Sequence, residues 1–336
     1  MRKYLALLLL LMMALFPSAT FADIAVHYID VGQADAILIV CDGESMLIDG
    51  GNVADSSLIV SYLKKNNISH LRYIISTHAH EDHVGGLSGA LNACTVDTVL
   101  SPVLDYDSKA FQDFKKYVLA QDIEMQLPNA GDSFNLGGAK ATILGPVRQY
   151  ENTNDSSIVM KLEYGERSFL FTGDMEWDSE HDILDAGYDV GADVLKVAHH
   201  GSETSTSYRF LREIMPTYAV ISVGGNNAYG HPTEVVLSRL RDADVELYRT
   251  DLNGNVIITS DGNTLVINAA KNTSGQPITG SSPVAEDSLT YIGNARTKKF
   301  HLASCRTLPS EQNSVIINTR NEAVEGGFTP CGNCNP

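Results

Sequence analysis

Apolar residues follow two periods along the chain, and stretches of the two alternate from Ile24 to Ile267. Period two or short apolar runs, rich in β-branched residues, predict strands over 24–31, 36–41, 45–48, 72–76, 139–144, 157–164, 167–172, 194–198, 218–223, 245–248, 255–260 and 265–267. Helical spacing predicts helices over 56–66, 84–91, 109–120, 176–186, 205–214 and 233–241, the last with Thr233 as N-cap. Gly165-Glu166 reads as a tight hairpin connection. Some strands lead into helices and others pair as hairpins. The expected fold class is therefore α/β, with mixed sheets between helices.

Both ends leave this rhythm. Arg2 and Lys3, an apolar run over 4–16 and small residues up to Ala22 have the layout of a signal peptide, residues 1–22, cut after Ala22. The apolar run is short for a membrane anchor, which needs about 20 residues. No later stretch is apolar enough to cross a bilayer. The expectation is a secreted, extracytoplasmic protein with no stable membrane insertion after cleavage. Residues 23–270 form the main domain. Residues 271–287, rich in Ser, Gly, Pro and Thr, have a linker composition. Residues 288–336 make a separate module.

The chain has 336 residues and is 43% hydrophobic, ample for a packed core. Its 24 Lys and Arg face 41 Asp and Glu, a formal charge of −17. Removing the signal leaves 22 against 41, or −19. An acidic body repels nucleic acid at long range, which counts against a simple DNA-binding protein. The tail module nets +2.

Chemistry concentrates in Thr77-His78-Ala79-His80-Glu81-Asp82-His83-Val84-Gly85-Gly86, directly after an apolar strand. Three His and one Asp within six residues suit zinc, manganese or iron better than core packing. His78 and His80, two apart, can point to one side of an extended loop. Asp82 and His83, opening a helix, can face a second ion. Gly85-Gly86 lets that helix pack closely.

This run resembles the HxHxDH signature of the metallo-β-lactamase superfamily. The resemblance implies an αββα sandwich of two mixed sheets between helices, and a binuclear centre holding two divalent ions, zinc or manganese. It makes Asp174, in Phe171-Thr172-Gly173-Asp174, the bridging ligand. One of His199 and His200, after the strand 194–198, completes the second site. His200 is favoured, with His199 facing substrate. The first-site His of many members is absent, and Asp155 in Asn154-Asp155-Ser156 is the natural oxygen substitute. That oxygen-rich site would favour manganese somewhat. His231, before Pro232, either caps the next helix or holds substrate.

Further segments in order include Tyr28-Ile29-Asp30-Val31-Gly32-Gln33 with Asp35, and Leu47-Ile48-Asp49-Gly50-Gly51. Lys196 through Ser202, Ser222 through Asn227 and Tyr248-Arg249-Thr250-Asp251 follow. They resemble the branch typified by the hydrolase domain of the DNA-uptake competence protein ComEC, over about 24–267. Ala34 departs from the Gly usual there. Without that branch's membrane channel, transport is not the expected role. The resemblance implies phosphodiester hydrolysis, in DNA or another phosphate-containing polymer. Two ions would share an activated hydroxide. Asp82, His199 and His231 are the candidate catalytic groups, as nucleophile orienter and as phosphate-holding or leaving-group acids. Two other readings are a small-phosphoester or choline-bearing wall-polymer hydrolase, and a non-catalytic, metal-stabilised DNA- or polymer-binding protein.

In the tail, His301 and Cys305 precede Cys331 and Cys334 by a gap of 25 residues. Two close N/S pairs suit one structural zinc, with a disulfide as the other reading. The spacing resembles the zinc-binding domain of the DNA-repair protein Ada, with His301 in place of the first Cys. That implies a small zinc-stapled α+β module, whose mild basicity suits a weak tether to phosphate polymers. Cys41 and Cys94 read as buried thiols.

Overall fold

The computed structural model describes residues 23–271, 291–302, 305, 308–317, 322–323 and 326–331. The expected signal peptide with its cut after Ala22, most of the linker, and Cys334 lie outside them.

Fifteen strands of the main body form two sheets. The first sheet contains β1 (Ile24–Tyr28), β2 (Ile37–Cys41), β3 (Glu44–Ile48), β4 (His70–Ile75), β5 (Thr95–Leu100), β6 (Met125–Gln126), β14 (Val256–Ser260) and β15 (Leu265–Ala269). Its order is β15-β14-β1-β2-β3-β4-β5-β6. The second contains β7 (Ser133–Leu136), β8 (Ala139–Gly145), β9 (Val159–Tyr164), β10 (Arg167–Phe171), β11 (Val194–Lys196), β12 (Tyr218–Ile221) and β13 (Glu246–Arg249). Its order is β13-β12-β11-β10-β9-β8-β7. Side chains alternate across a strand, so each strand feeds two cores. Ile37, Ile39, Phe169, Phe171 and Val194 enter the core between the sheets. Leu38 points instead to the layer of helices α1 (Ser56–Lys65), α3 (Leu87–Ala93) and α4 (Lys109–Leu119). Leu170 and Leu195 meet the layer of α5 (Trp177–Asp185), α6 (Tyr208–Ile214) and α7 (Glu234–Asp242). The result is a helix–sheet–sheet–helix sandwich.

Three details differ from expectation. Strands β5, β6 and β7 were not predicted. The helix expected over 84–91 is two pieces, α2 (Glu81–Val84) and α3, parted at Gly85-Gly86. A Cβ on Gly85 would lie 2.2 Å from Val53 N, and one on Gly86 1.9 Å from Gly50 O. The loop after β3 presses there, and Gly86 N–H donates to Gly51 O in place of a helical partner. Thr233 occupies the N-cap of α7, but its hydroxyl donates to Gly201 O rather than capping.

Strands β3 to β6 run parallel, as do β10 to β13. Parallel strands end together, so the loops after β3, β4, β10, β11 and β12 collect at one rim, the usual ligand site of such sheets. The tail strands β16 (Tyr291–Asn294), β17 (Lys299–Leu302), β18 (Ser314–Ile317) and β19 (Thr329–Pro330) form a separate four-stranded sheet. Cys41 and Cys94 are buried, as expected.

Candidate metal centre

The His run leaves β4 extended. His80 has φ −69° and ψ 151° at the N-cap of α2. That geometry turns two alternate residues to one side, and His78 Nε2 lies 3.0 Å from His80 Nδ1. One turn of helix then carries Asp82 and His83 around to face the opposite wall.

That wall comes from the second sheet. Gly173 adopts φ +51°, and a Cβ there would lie 2.9 Å from Thr77 Cβ and from Ser157 Oγ. Only glycine permits this approach, which delivers Asp174 beside the His run. His199 and His200 both lie in the left-handed region, at φ 49° and 52°. The strained turn sends their rings different ways. His200 goes inward, its Nε2 3.3 Å from Asp82 Oδ2 and 3.6 Å from Asp174 Oδ2. His199 stays half-buried, its Nδ1 3.1 Å from Glu176 Oε1.

One ligand atom each from Asp82, His83, Asp174 and His200 lies within 4.8 Å of the others. Their hydrogen bonds fix the tautomers. His200 Nδ1 is 2.9 Å from Ser222 O, which can only accept, so Nδ1 carries hydrogen and a neutral ring leaves a lone pair on Nε2. His83 Nδ1 is 2.8 Å from Asp49 Oδ2, with the same consequence. Among the described residues, His83 Nε2, His200 Nε2 and Asp174 Oδ1 are buried without a hydrogen bond. Unpaired buried groups of this kind are costly unless something binds them. Here they converge, so the donor set fits a divalent cation.

The first centre is less closed. His78 Nε2 is 3.9 Å from Asp174 Oδ2, so Asp174 lies within reach of both sets. Asp155, the expected oxygen ligand, is not among the side chains that converge there. Its Oδ1 accepts the N–H groups of Glu176 (3.0 Å) and Ser179 (3.1 Å), capping the N-terminus of α5. An acidic side chain is a good partner for those orphan donors. Its neighbour Asn154 faces His199 instead, with Nδ2 3.5 Å from His199 Nε2 and 3.1 Å from Glu176 Oε1. His231 lies over the same side, its ring centroid 5.6 Å from that of His199.

Electrostatics follow from the carboxylates. Burial opposes charge on His83, yet Asp174, Asp49 and Asp82 hold its pKa well above the usual value. His200 is raised in the same way, against burial, by Asp174, Asp82 and Asp35. Burial and the charge of His83 push His78 well down. Burial alone would raise Asp82 and Asp174, but the imidazoles hold both low. The carboxylates therefore demand positive charge at the spot where the unpaired nitrogens point.

Asp49, Asp35, Lys196, Asn154 and Glu176 gained no role from the sequence. Asp49 accepts Thr77 N–H (2.8 Å), Thr77 hydroxyl (2.7 Å) and His83. Asp35 pairs with fully buried Lys196 at 2.9 Å and lies 3.5 Å from His200 Nδ1. The signal was there as polar residues at strand ends, Asp49 after β3 and Lys196 closing β11.

In the tail, His301, Cys305 and Cys331 place ligand atoms within 4.8 Å of one another, and all three are buried. His301 Nδ1 is 3.4 Å from Cys305 Sγ. Parallel pairing of β17 with β19, and the Cys331 N–H bond to Phe300 O (3.0 Å), hold the two segments together.

Comparison with known proteins adds a family. Residues 29–225 match the metallo-beta-lactamase superfamily, and residues 279–336 match the metal binding domain of Ada. The chain is 28% identical over 250 residues to ComE operon protein 3 of Bacillus subtilis, covering 69% of this chain and 32% of that protein. It is 30% identical to competence protein ComA of Neisseria gonorrhoeae, with 69% and 32% covered. It is also 30% identical to recombination protein 2 of Haemophilus influenzae, with 73% and 30% covered. It therefore spans about a third of the length of these curated relatives.

Proposed function

The chain belongs to the metallo-beta-lactamase superfamily, and on that footing we propose that it is a secreted binuclear metal-dependent phosphodiesterase, a nuclease acting on DNA. The observation that carries this reading is the convergence of Asp82, His83, Asp174 and His200 within 4.8 Å, beside the His78–His80 pair. The similarity to competence proteins favours DNA as the polymer. The N-terminal signal pattern favours a place outside the cytoplasm.

Two divalent ions held by these residues would supply Lewis acidity and, from water, a nucleophile near neutral pH. Asp174, within 3.9 Å of His78, His83 and His200, would hold ions on both sides of it. Asp82, with its side chain 32% exposed, stands at the mouth and can orient the attacking water. Glu176 accepts from His199 Nδ1, leaving the Nε2 lone pair of a neutral ring to accept a proton on the substrate side. Burial and the neighbouring His199 and His200 push His231 down to about 4, so it stays neutral and holds a phosphate oxygen rather than delivering a proton. The tail module, matched to a metal-binding domain and mildly basic, would add a zinc-stapled tether to phosphate polymer.

The test is cleavage of labelled single-stranded DNA, duplex DNA and a chromogenic phosphodiester by the zinc- or manganese-loaded protein. Asp174→Ala serves as control. The parent should cut at least one of these and the variant none. Equal cutting by both removes the assignment, and cutting of the chromogenic phosphodiester alone replaces DNA with a small phosphoester as the substrate.

A further inference from the structure

Resting on that reading, we propose that Tyr229, stacked on His231, is a shelf for a nucleobase, so that the substrate is a strand with unpaired bases. Tyr229 is 73% exposed, though it is large and aromatic. Its ring lies 5.7 Å from that of His231, with the planes only 25° apart. Its other face is therefore open. His231 in turn sits 5.6 Å from His199, whose Nε2 is 3.9 Å from Asp174 Oδ2. The shelf is thus two ring contacts from the bridging carboxylate, beside where a scissile phosphate would lie.

The segment is held in place. Asn227 Oδ1 accepts the N–H groups of Tyr229 (3.1 Å) and His231 (3.0 Å). Its Nδ2 donates to Gly224 O (2.9 Å) and His231 O (2.6 Å). One side chain therefore ties both ring-bearing residues to the loop after β12. A ring this exposed buries little apolar surface, so its fixed position contributes little to folding. His231 Nδ1 adds a second sign of a ligand, since it is buried without a hydrogen bond among the described residues.

Two other occupants fit less well. A quaternary ammonium needs aromatic faces around it, whereas Tyr229 and His231 are nearly parallel and offer one plane. A base inside a duplex has both faces covered by its neighbours and cannot reach the shelf. Charge points the same way. A net charge of −17 opposes the backbone attraction on which most nucleic-acid affinity rests. Stacking is insensitive to phosphate charge and can supply what the surface does not.

The experiment uses the full metal-loaded protein and two labelled oligonucleotides, one with bases on both sides of the cut and one with abasic sugars there. The parent should prefer the base-bearing strand in kcat/KM by about tenfold, the scale of one base–aromatic stack. Tyr229→Ala should bring that ratio to about one, while Tyr229→Phe keeps it. A preference that survives in Tyr229→Ala, or its loss in Tyr229→Phe, overturns the shelf and leaves the nuclease reading standing. A parent that cuts neither strand overturns the nuclease reading and the shelf with it.

Discussion

The centre around Asp174 is flanked by three cores of twenty or more buried apolar residues each, while the His301–Cys305–Cys331 cluster sits beside a core of four among the described residues. In the first region, strands that pack without help from the ligands deliver those ligands from β4, β10 and β11 to one rim. In the second, the cluster lies where β17 pairs with β19, so ligands and strand pairing join the same two segments. Similar His-containing chemistry therefore has opposite relations to folding. A module of about 50 residues is small enough to need a staple. The main body does not, so its ligands are free to stay partly unsatisfied for the sake of reaction.

Metal removal should separate the two regions most strongly. Structural zinc contributes on the order of 10 kcal/mol to the folding of small modules. With chelator, the amides of β16 and β18 should lose all hydrogen-exchange protection, while those of β1 and β10 keep theirs. Retained protection in the tail would put its stability elsewhere and undo the contrast. The next largest effect is catalytic. Asp174→Ala removes the one carboxylate within reach of both first-site and second-site imidazoles, and kcat/KM should fall by about 10³ or more. In chelator its unfolding midpoint should stay within a few degrees of the parent's, because no core contact is lost.

The same contrast explains what could be read from the chain. The His run was legible because its ligands are local, and Asp174 and His200 because each follows an apolar strand. Asp155 misled because spacing alone cannot distinguish a ligand from a cap. Only the fold shows that α5 begins where this carboxylate points. Asp49 is invisible as a partner of His83, from which 34 positions separate it, until β3 and β4 pair. Strand β5, with Thr95, Asp97 and Thr98 among its six residues, carries too little apolar signal to be predicted, although five of those residues pair with β4. The rim was thus readable where ligands cluster in sequence and obscure where the sheet assembles them.

The main body should also show a pH limit of its own. Glu180 on α5 is fully buried and accepts the N–H groups of Thr206 and Ser207, which brace the loop after His200. Burial raises its pKa from 4.5 to about 7, against those hydrogen bonds and the charge of buried Arg239. The native state then keeps a proton that the unfolded chain releases, so stability falls as pH rises from 4.5 towards 7. The scale is about 3 kcal/mol. Denaturant titrations of the chelated protein at pH 5 and 8 should show the parent losing that much more than Glu180→Gln. An equal loss in both assigns the pH dependence to other groups.

The smallest effect probes how the fold serves the centre rather than itself. Asp49 Oδ2 accepts from both Thr77 hydroxyl and His83 Nδ1, and Oδ1 accepts Thr77 N–H. An amide has only one accepting atom, so Asp49→Asn must set its NH₂ group against a donor whichever way it turns. If the NH₂ faces His83, the ring loses its anchor and its Nε2 no longer stays fixed on the ions. If it faces Thr77 N–H, the turn leading into the His run shifts. Either way, metal affinity should fall by about 10- to 100-fold, the usual cost of losing a ligand's hydrogen-bonded support. Metal titration by calorimetry, with the tail zinc already loaded, reads this directly. Unchanged affinity would mean that His83 is held by packing alone, and the main centre would then depend on its surroundings less than the contrast with the tail requires.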